Sequence, residues 1–205
     1  MEVPSKYINE AVEQLASLPS IGKRSALRLV LDLLKRSAED IEAFSTAFTK
    51  MKANVKFCKS CGNISDDSLC SICSNPNREH VIICVVEDIR DVMVIEATGS
   101  YRGVYHVLGG VISPMDGLGP EDLNIDHLIE KINSNRVEEV IFALSSTMEG
   151  DTTNFYLYKK ISDKKVKITT LSRGVAVGSE LHYADELTLG RSITQRLLFE
   201  TTFNK

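Results

Sequence analysis

The chain has 205 residues, enough for one or two ordinary cores, and its 43% hydrophobic and 25% charged residues are those of a soluble globular protein. A net charge of −4 and a pI near 5.6 argue against a strong nucleic-acid binder of uniformly basic surface. The first residues hold no apolar h-region of a signal peptide, and the longest apolar run, 81–86, is far too short to cross a bilayer.

The N-terminal quarter reads as helical. Ile8, Ala11, Val12 and Leu15 recur at helical spacing and predict a helix over 5–16. Pro19 and Gly22 then break the pattern and force a tight turn. A second helix follows, with Ala26, Leu27, Val30, Leu31 and Leu34 on its buried stripe. A third runs over 39–52, with Ile41, Phe44, Phe48 and Met51 inward and its start near Ser37 or Glu39. Helix, L-P-x-I-G turn and a helix opening with basic residues form the pattern of a helix-hairpin-helix. Such a turn exposes backbone N–H groups beside a positive helix end, a phosphate cradle indifferent to base identity. Between Ser20 and Arg36 stand five basic residues and one acid, so any nucleic-acid contact is local to this region. Lys23, Arg24 and Arg28 are the candidate contacts; Arg24 and Arg28, four apart, share a face. The alternative is an ordinary helical hairpin with a solvated basic face. Ser20 departs from the motif, which usually has glycine on both sides of the apolar turn residue, and a side chain there strains the turn or holds back a phosphate.

Cys58-x-x-Cys61 and Cys70-x-x-Cys73, eight residues apart, place four of the five cysteines in one short segment. Each C-x-x-C turn aims two thiolates at one point, and two turns supply a tetrahedral zinc site. The alternatives are two disulfides, a redox pair or an iron–sulfur cluster; the spacing favours a closed zinc site, structural because it leaves no open position for substrate. Gly62 suits the tight turn after the first pair. Metal-grouped cysteines, with Cys84 alone in a buried strand, indicate a reducing, cytoplasmic compartment. The cluster also marks the joint between the helical segment and the rest of the chain.

After a turn at 75–78, strand and helix alternate. The β-branched run 81–86 is the pattern of a buried parallel strand and ends in Glu87-Asp88. A helix over 90–97 stops at Gly99; a strand at 104–108 leads into a glycine-rich loop, 109–119; Pro120-Glu121-Asp122 reads as a helix start. A strand over 140–144, a helix over 152–161, a strand over 166–171, a loop over 173–178 and a last helix over 185–199 complete the chain. The alternation implies a parallel α/β sheet.

Ligands gather at the carboxyl ends of such strands. Here the first strand ends at Glu87-Asp88 and the third leads into Glu149-Gly150-Asp151. A glutamate after one strand and a D-x-D after a later one are the arrangement of a Toprim domain, able to hold Mg²⁺. This chain has E-x-D, with one longer side chain, and solvated strand-end acids are the alternative. A Mg²⁺-dependent Toprim enzyme acting on DNA is the competing functional reading. There is no P-loop and no G-x-S-x-G elbow, and His80, His106, His127 and His182 have no metal-binding spacing. His106 reads as a packed strand residue and Cys84 as an inert core thiol.

The strings Leu18-Pro19-Ser20-Ile21-Gly22, Cys58 to Cys73, Val85-Val86-Glu87-Asp88 and Tyr101-Arg102-Gly103-Val104-Tyr105-His106-Val107-Leu108-Gly109-Gly110 resemble the RecR family of bacterial recombination mediators. So do Ser113-Pro114-Met115-Asp116-Gly117-Leu118-Gly119-Pro120, Glu149-Gly150-Asp151 and Tyr183-Ala184-Asp185-Glu186-Leu187-Thr188-Leu189. The resemblance covers nearly the whole chain. It implies an α+β multi-domain protein: a helix-hairpin-helix over 1–53, a C4 zinc finger over 54–79, an α/β Toprim domain with a parallel sheet over 80–175 and a C-terminal helical oligomerisation segment over 176–205. It implies zinc held by Cys58, Cys61, Cys70 and Cys73, and sequence-independent contact with single- and double-stranded DNA through Arg24 and Arg28. Lys23 stands where the family usually has proline. It implies a non-enzymatic role: work with RecO, and in some settings RecF, to help RecA replace single-strand-binding protein on gapped DNA. It also implies a dimer or tetramer ring and a place at the nucleoid. The E-x-D form is usual in this family, which is not known for Toprim chemistry, so Glu87, Glu149 and Asp151 read as partner docking rather than catalysis.

Overall fold

Short polar side chains set the starts of the first and third helices. Ser5 accepts the Ile8 N–H at the head of α1 (Lys6–Ala16), and Ser37 accepts the Asp40 N–H at the head of α3 (Ala38–Asn54). Between them α2 (Lys23–Leu33) follows Gly22, which has no side chain to cap with. The computed structural model describes residues 5–134 and 136–198, in two compact units that part after Val55. The expected reach of the last helix to Phe199 lies outside the described residues.

In the first unit α1 and α2 pack on each other, with Ala26 and Val30 buried. The expected inward faces are only partly covered. Leu31 and Leu34 are exposed, and on α3 Ile41 is half-buried while Phe44, Phe48 and Met51 stay exposed. Three short helices cannot enclose that many large side chains by themselves. The periodicity therefore marks an apolar face correctly without saying what lies against it.

The second unit joins the cysteine segment to the α/β layer. β1 (Lys56–Phe57) pairs antiparallel with β2 (Ile64–Ser65). The main sheet holds β3 (Glu79–Val86), β4 (Gly103–Val107), β5 (Glu139–Phe142) and β6 (Lys167–Thr170) in the order β4-β3-β5-β6, all parallel. Because β3 is central and covered on both faces, its side chains alternate between two cores. Ile83 and Val85 join Val104, Leu128, Leu157 and Ile161; Cys84 and Val86 join Val92, Tyr105 and Val107. The continuous β-branched run is the consequence. Helices α4 (Ile89–Ala97), α5 (Ile125–Ser134) and α6 (Met148–Ile161) connect the strands, and α7 (Glu186–Thr194) comes after the sheet. Gly99, at φ +63°, ends α4 as expected.

Three helix bounds differ from expectation by more than two residues. Pro120–Asp122 forms a separate 3₁₀ turn, because Asn124 donates its N–H to Leu108 O at 3.0 Å and delays α5 to Ile125. The last helix ends at Thr194, with Gln195 as its C-cap. Most consequential, α6 starts at Met148 rather than 152: Thr147 caps it by accepting the Gly150 N–H at 3.1 Å. Glu149 and Asp151 thus lie in a helix's first turn, not in a strand-end loop.

Gly150 makes that placement possible. A Cβ there would lie 2.0 Å from Ser145 O, so helix and strand end approach closer than any side chain permits. Gly150→Ala is expected to destabilise the second unit by about 1–3 kcal/mol, the range for overpacking; denaturant unfolding of the full chain measures it, and an unchanged midpoint would contradict the close approach.

Candidate nucleic-acid interface and metal centre

The four cysteines converge. The sulfurs of Cys58, Cys61, Cys70 and Cys73 lie within 4.8 Å of one another, and Cys61 Sγ is 3.6 Å from Cys70 Sγ. A tetrahedron of Zn–S bonds has S···S edges of roughly 3.8 Å, so the set fits one zinc ion; a disulfide needs about 2.05 Å. All four are free thiols. Backbone geometry sets the turns: Gly62 N–H donates to Cys58 O at 2.9 Å, with Gly62 at φ +76°, and Ser74 N–H donates to Cys70 O at 3.0 Å. Cys70 N–H donates to Cys58 Sγ at 3.3 Å and Cys73 N–H to Cys70 Sγ at 3.5 Å, bonds that favour thiolates. The hydrogen bond between Cys61 and Cys73 pulls the Cys73 thiol down and pushes the Cys61 thiol up. Zinc bound here supplies structural cross-linking, since all four protein ligands are sulfur.

The centre is built into the α/β unit. Val107 N–H, on β4, donates to Cys61 O at 2.7 Å, and Ile72 packs against both cores of the sheet. A Cβ on Gly62 would approach Val107 O to 3.0 Å. None of these partners is signalled in the sequence. His106, fully buried, has Nε2 2.7 Å from Asn124 O, and burial holds its imidazole down to about 4. It is a neutral core residue, as expected. Cys84 is buried and pushed up to about 12, an inert thiol.

In the first unit Lys23, Arg24 and Arg28 are all exposed on α2. Ser20 adopts φ +64°, and among the described residues it alone among non-glycines has positive φ. The turn keeps its left-handed corner despite the side chain, at a cost of roughly 1–2 kcal/mol. Gly22 is more informative. Its φ of −78° and ψ of 159° suit any residue, and a Cβ there would meet nothing within 4 Å. Neither its backbone nor packing among the described residues requires glycine at this N-cap. Its bare surface leaves the uncapped N-terminus of α2 open to close approach from outside.

The three acids have different surroundings. Glu87 receives a long hydrogen bond, 3.4 Å, from Ser145 Oγ. Asp151 is bound by arginines of the C-terminal segment: Arg173 donates to its two oxygens at 2.6 and 3.3 Å, and Arg191 lies at 3.7 Å. The Arg173 hydrogen bond holds the Asp151 carboxyl below its usual range. Among the described residues, the cysteine set is the one His, Cys, Asp or Glu group whose ligand atoms come together for a metal. Asp151 thus ties the segment after β6 to the start of α6. The arginine partners had no recognisable sequence pattern.

Four family models match in order: the RecR helix-hairpin-helix over 8–52, the RecR four-cysteine zinc finger domain over 55–75, the Toprim domain over 82–172 and the RecR C-terminal region over 174–196. Similar full-length proteins include "Recombination protein RecR" of Flavobacterium johnsoniae, 59% identical over 99% of this chain and 98% of the relative. That of Parabacteroides distasonis is 54% identical over 97% and 96%, and that of Amoebophilus asiaticus 53% identical over 97% and 100%. The zinc finger match and the sulfur geometry agree: the chain binds structural zinc at Cys58, Cys61, Cys70 and Cys73.

Asp151 is held ionised in the folded state, so its contribution is present above the unfolded carboxyl value and lost as pH falls through the lowered one. Protection factors across 173–194, corrected for the intrinsic pH dependence of exchange, are therefore expected to fall below about pH 4, and in Asp151→Asn already at neutral pH. Equal protection in variant and wild type at neutral pH would remove the latch.

Proposed function

Because this chain belongs to the RecR family of recombination proteins, we propose that it binds DNA through its N-terminal hairpin and mediates recombinational repair with RecO and RecF. It is a recombination protein, not an enzyme. In this reading it helps RecA replace single-strand-binding protein on gapped DNA and performs no covalent chemistry.

Gly22 carries the DNA reading. A glycine that its own chain does not require, at an uncapped helix N-terminus flanked by Lys23, Arg24 and Arg28, is what close approach of a phosphate needs. Net negative charge elsewhere confines the contact to this hairpin. The exposed apolar residues support assembly. Leu31, Leu34, Phe44, Phe48 and Met51 in the first unit, and Leu181, Tyr183, Leu187 and Ile193 near the C-terminus, are more than one folded chain leaves to water without a partner. A second copy covering them, in a dimer or tetramer ring, multiplies small basic patches into an effective grip. Glu87 and Glu149 then offer a docking surface for RecO beside the latched Asp151. No helix among the described residues is long and apolar enough to cross a membrane.

The full-length protein with Gly22→Ala is expected to keep its unfolding free energy within about 1 kcal/mol, the scale of an N-cap change, yet bind single-stranded DNA several-fold more weakly. Arg24→Glu with Arg28→Glu is expected to weaken binding further and flatten its salt dependence by about one unit of slope per lost phosphate contact, with oligomer mass unchanged. Fluorescence anisotropy over a salt series and light scattering read both. Wild-type affinity in both variants would refute the hairpin as the DNA contact, and a strictly monomeric wild type would refute the ring.

A further inference from the structure

The first cysteine knuckle is held from outside by one charged side chain. Lys131, half-buried on α5, places Nζ 3.2 Å from Ser60 O and 3.5 Å from Tyr105 O. Ser60 lies between Cys58 and Cys61. Tyr105 lies in β4, two residues before the Val107 N–H that donates to Cys61 O. One ammonium thus spans the knuckle, the strand beneath it and a helix separated from the knuckle by 71 positions. Both partners are neutral carbonyls. No carboxylate among the described residues forms an ion pair with Lys131.

Four thiolates around Zn²⁺ make a dianion. Three of the four sulfur-bearing residues are buried, where an uncompensated negative charge is costly. A cation seated on carbonyls of the adjoining backbone, its charge not taken up by a carboxylate, is the group such a centre lacks. We propose that Lys131 is the outer-sphere countercharge of the zinc centre: it offsets one of the two excess negative charges and fastens the first knuckle to β4 and α5. It is a positioning residue, acting on zinc through the knuckle rather than as a ligand. The inference rests on zinc at the four cysteines and is independent of the DNA-binding reading.

The test is zinc affinity of the full-length protein by competition with a chromogenic chelator, alongside thermal unfolding. Lys131→Met keeps chain length and removes charge; it is expected to weaken zinc binding about tenfold, the lower end for loss of a group supporting metal ligands. Lys131→Arg keeps charge and is expected to stay within about threefold of wild type. Ile132→Val, one residue along α5, serves as the control that loosens packing without touching charge; zinc affinity is expected to stay near wild type even where its melting temperature falls. Wild-type affinity in Lys131→Met would overturn the proposal. So would zinc loss in Lys131→Met and Ile132→Val that merely tracks their melting temperatures. Should Lys131→Met not fold, labelling of wild-type protein with an amine-acylating reagent decides the matter. Lys131 is expected to be protected with zinc bound and to react like exposed Lys35 after chelation, whereas equal labelling in both states would overturn the proposal.

Discussion

Four sulfurs must meet around one ion, and they must do so on top of a sheet. That constraint organises the second unit. The cysteine segment has too few large apolar side chains to fold by burial, so metal ligation supplies what a core does elsewhere. The knuckles are then not free to pivot. A backbone hydrogen bond from Val107 to Cys61, the tight approach of Gly62 to Val107 O and the packing of Ile72 against both sheet cores make the zinc segment a third layer of the α/β unit. A loss of metal would therefore be felt at β4 and α5 as well as at the cysteines.

The same sheet carries the acidic motif, and there it meets basic side chains. Glu149-Gly150-Asp151 sits where a Toprim domain places cation ligands, but here Gly150 seats the start of α6 tightly against Ser145 O. Asp151 faces Arg173 and Arg191, and its charge is consumed in holding the segment after β6. A carboxylate already bound by a guanidinium is a poor ligand for Mg²⁺, because the ion must displace a charge-assisted pair. Asp151 joins the start of α6 to the C-terminal segment.

The two units use their surfaces differently. The hairpin turn tolerates a left-handed serine and keeps glycine at the helix entrance, where nothing among the described residues requires it. The apolar faces of α3 and of the C-terminal segment stay uncovered in the single chain. Backbone N–H groups with bare approach suit a ligand recognised by its phosphates, and uncovered apolar faces suit a partner recognised by shape.

What the sequence by itself determined is local. Short apolar runs and period-3.6 patterns placed the strands and most helices, the C-x-x-C pairs favoured zinc, and the Pro19–Gly22 break marked the hairpin, because each depends on residues a few positions apart. It marked an apolar face on α3 but could not say whether the chain covers it. Tertiary structure alone decided that Asp151 meets Arg173, 22 positions away, and that Lys131 reaches Ser60, 71 positions away. It also decided where α6 begins, since that depends on a missing Cβ facing Ser145 O. Such contacts are set by the order in which parallel strands are laid side by side, and no local periodicity records that order.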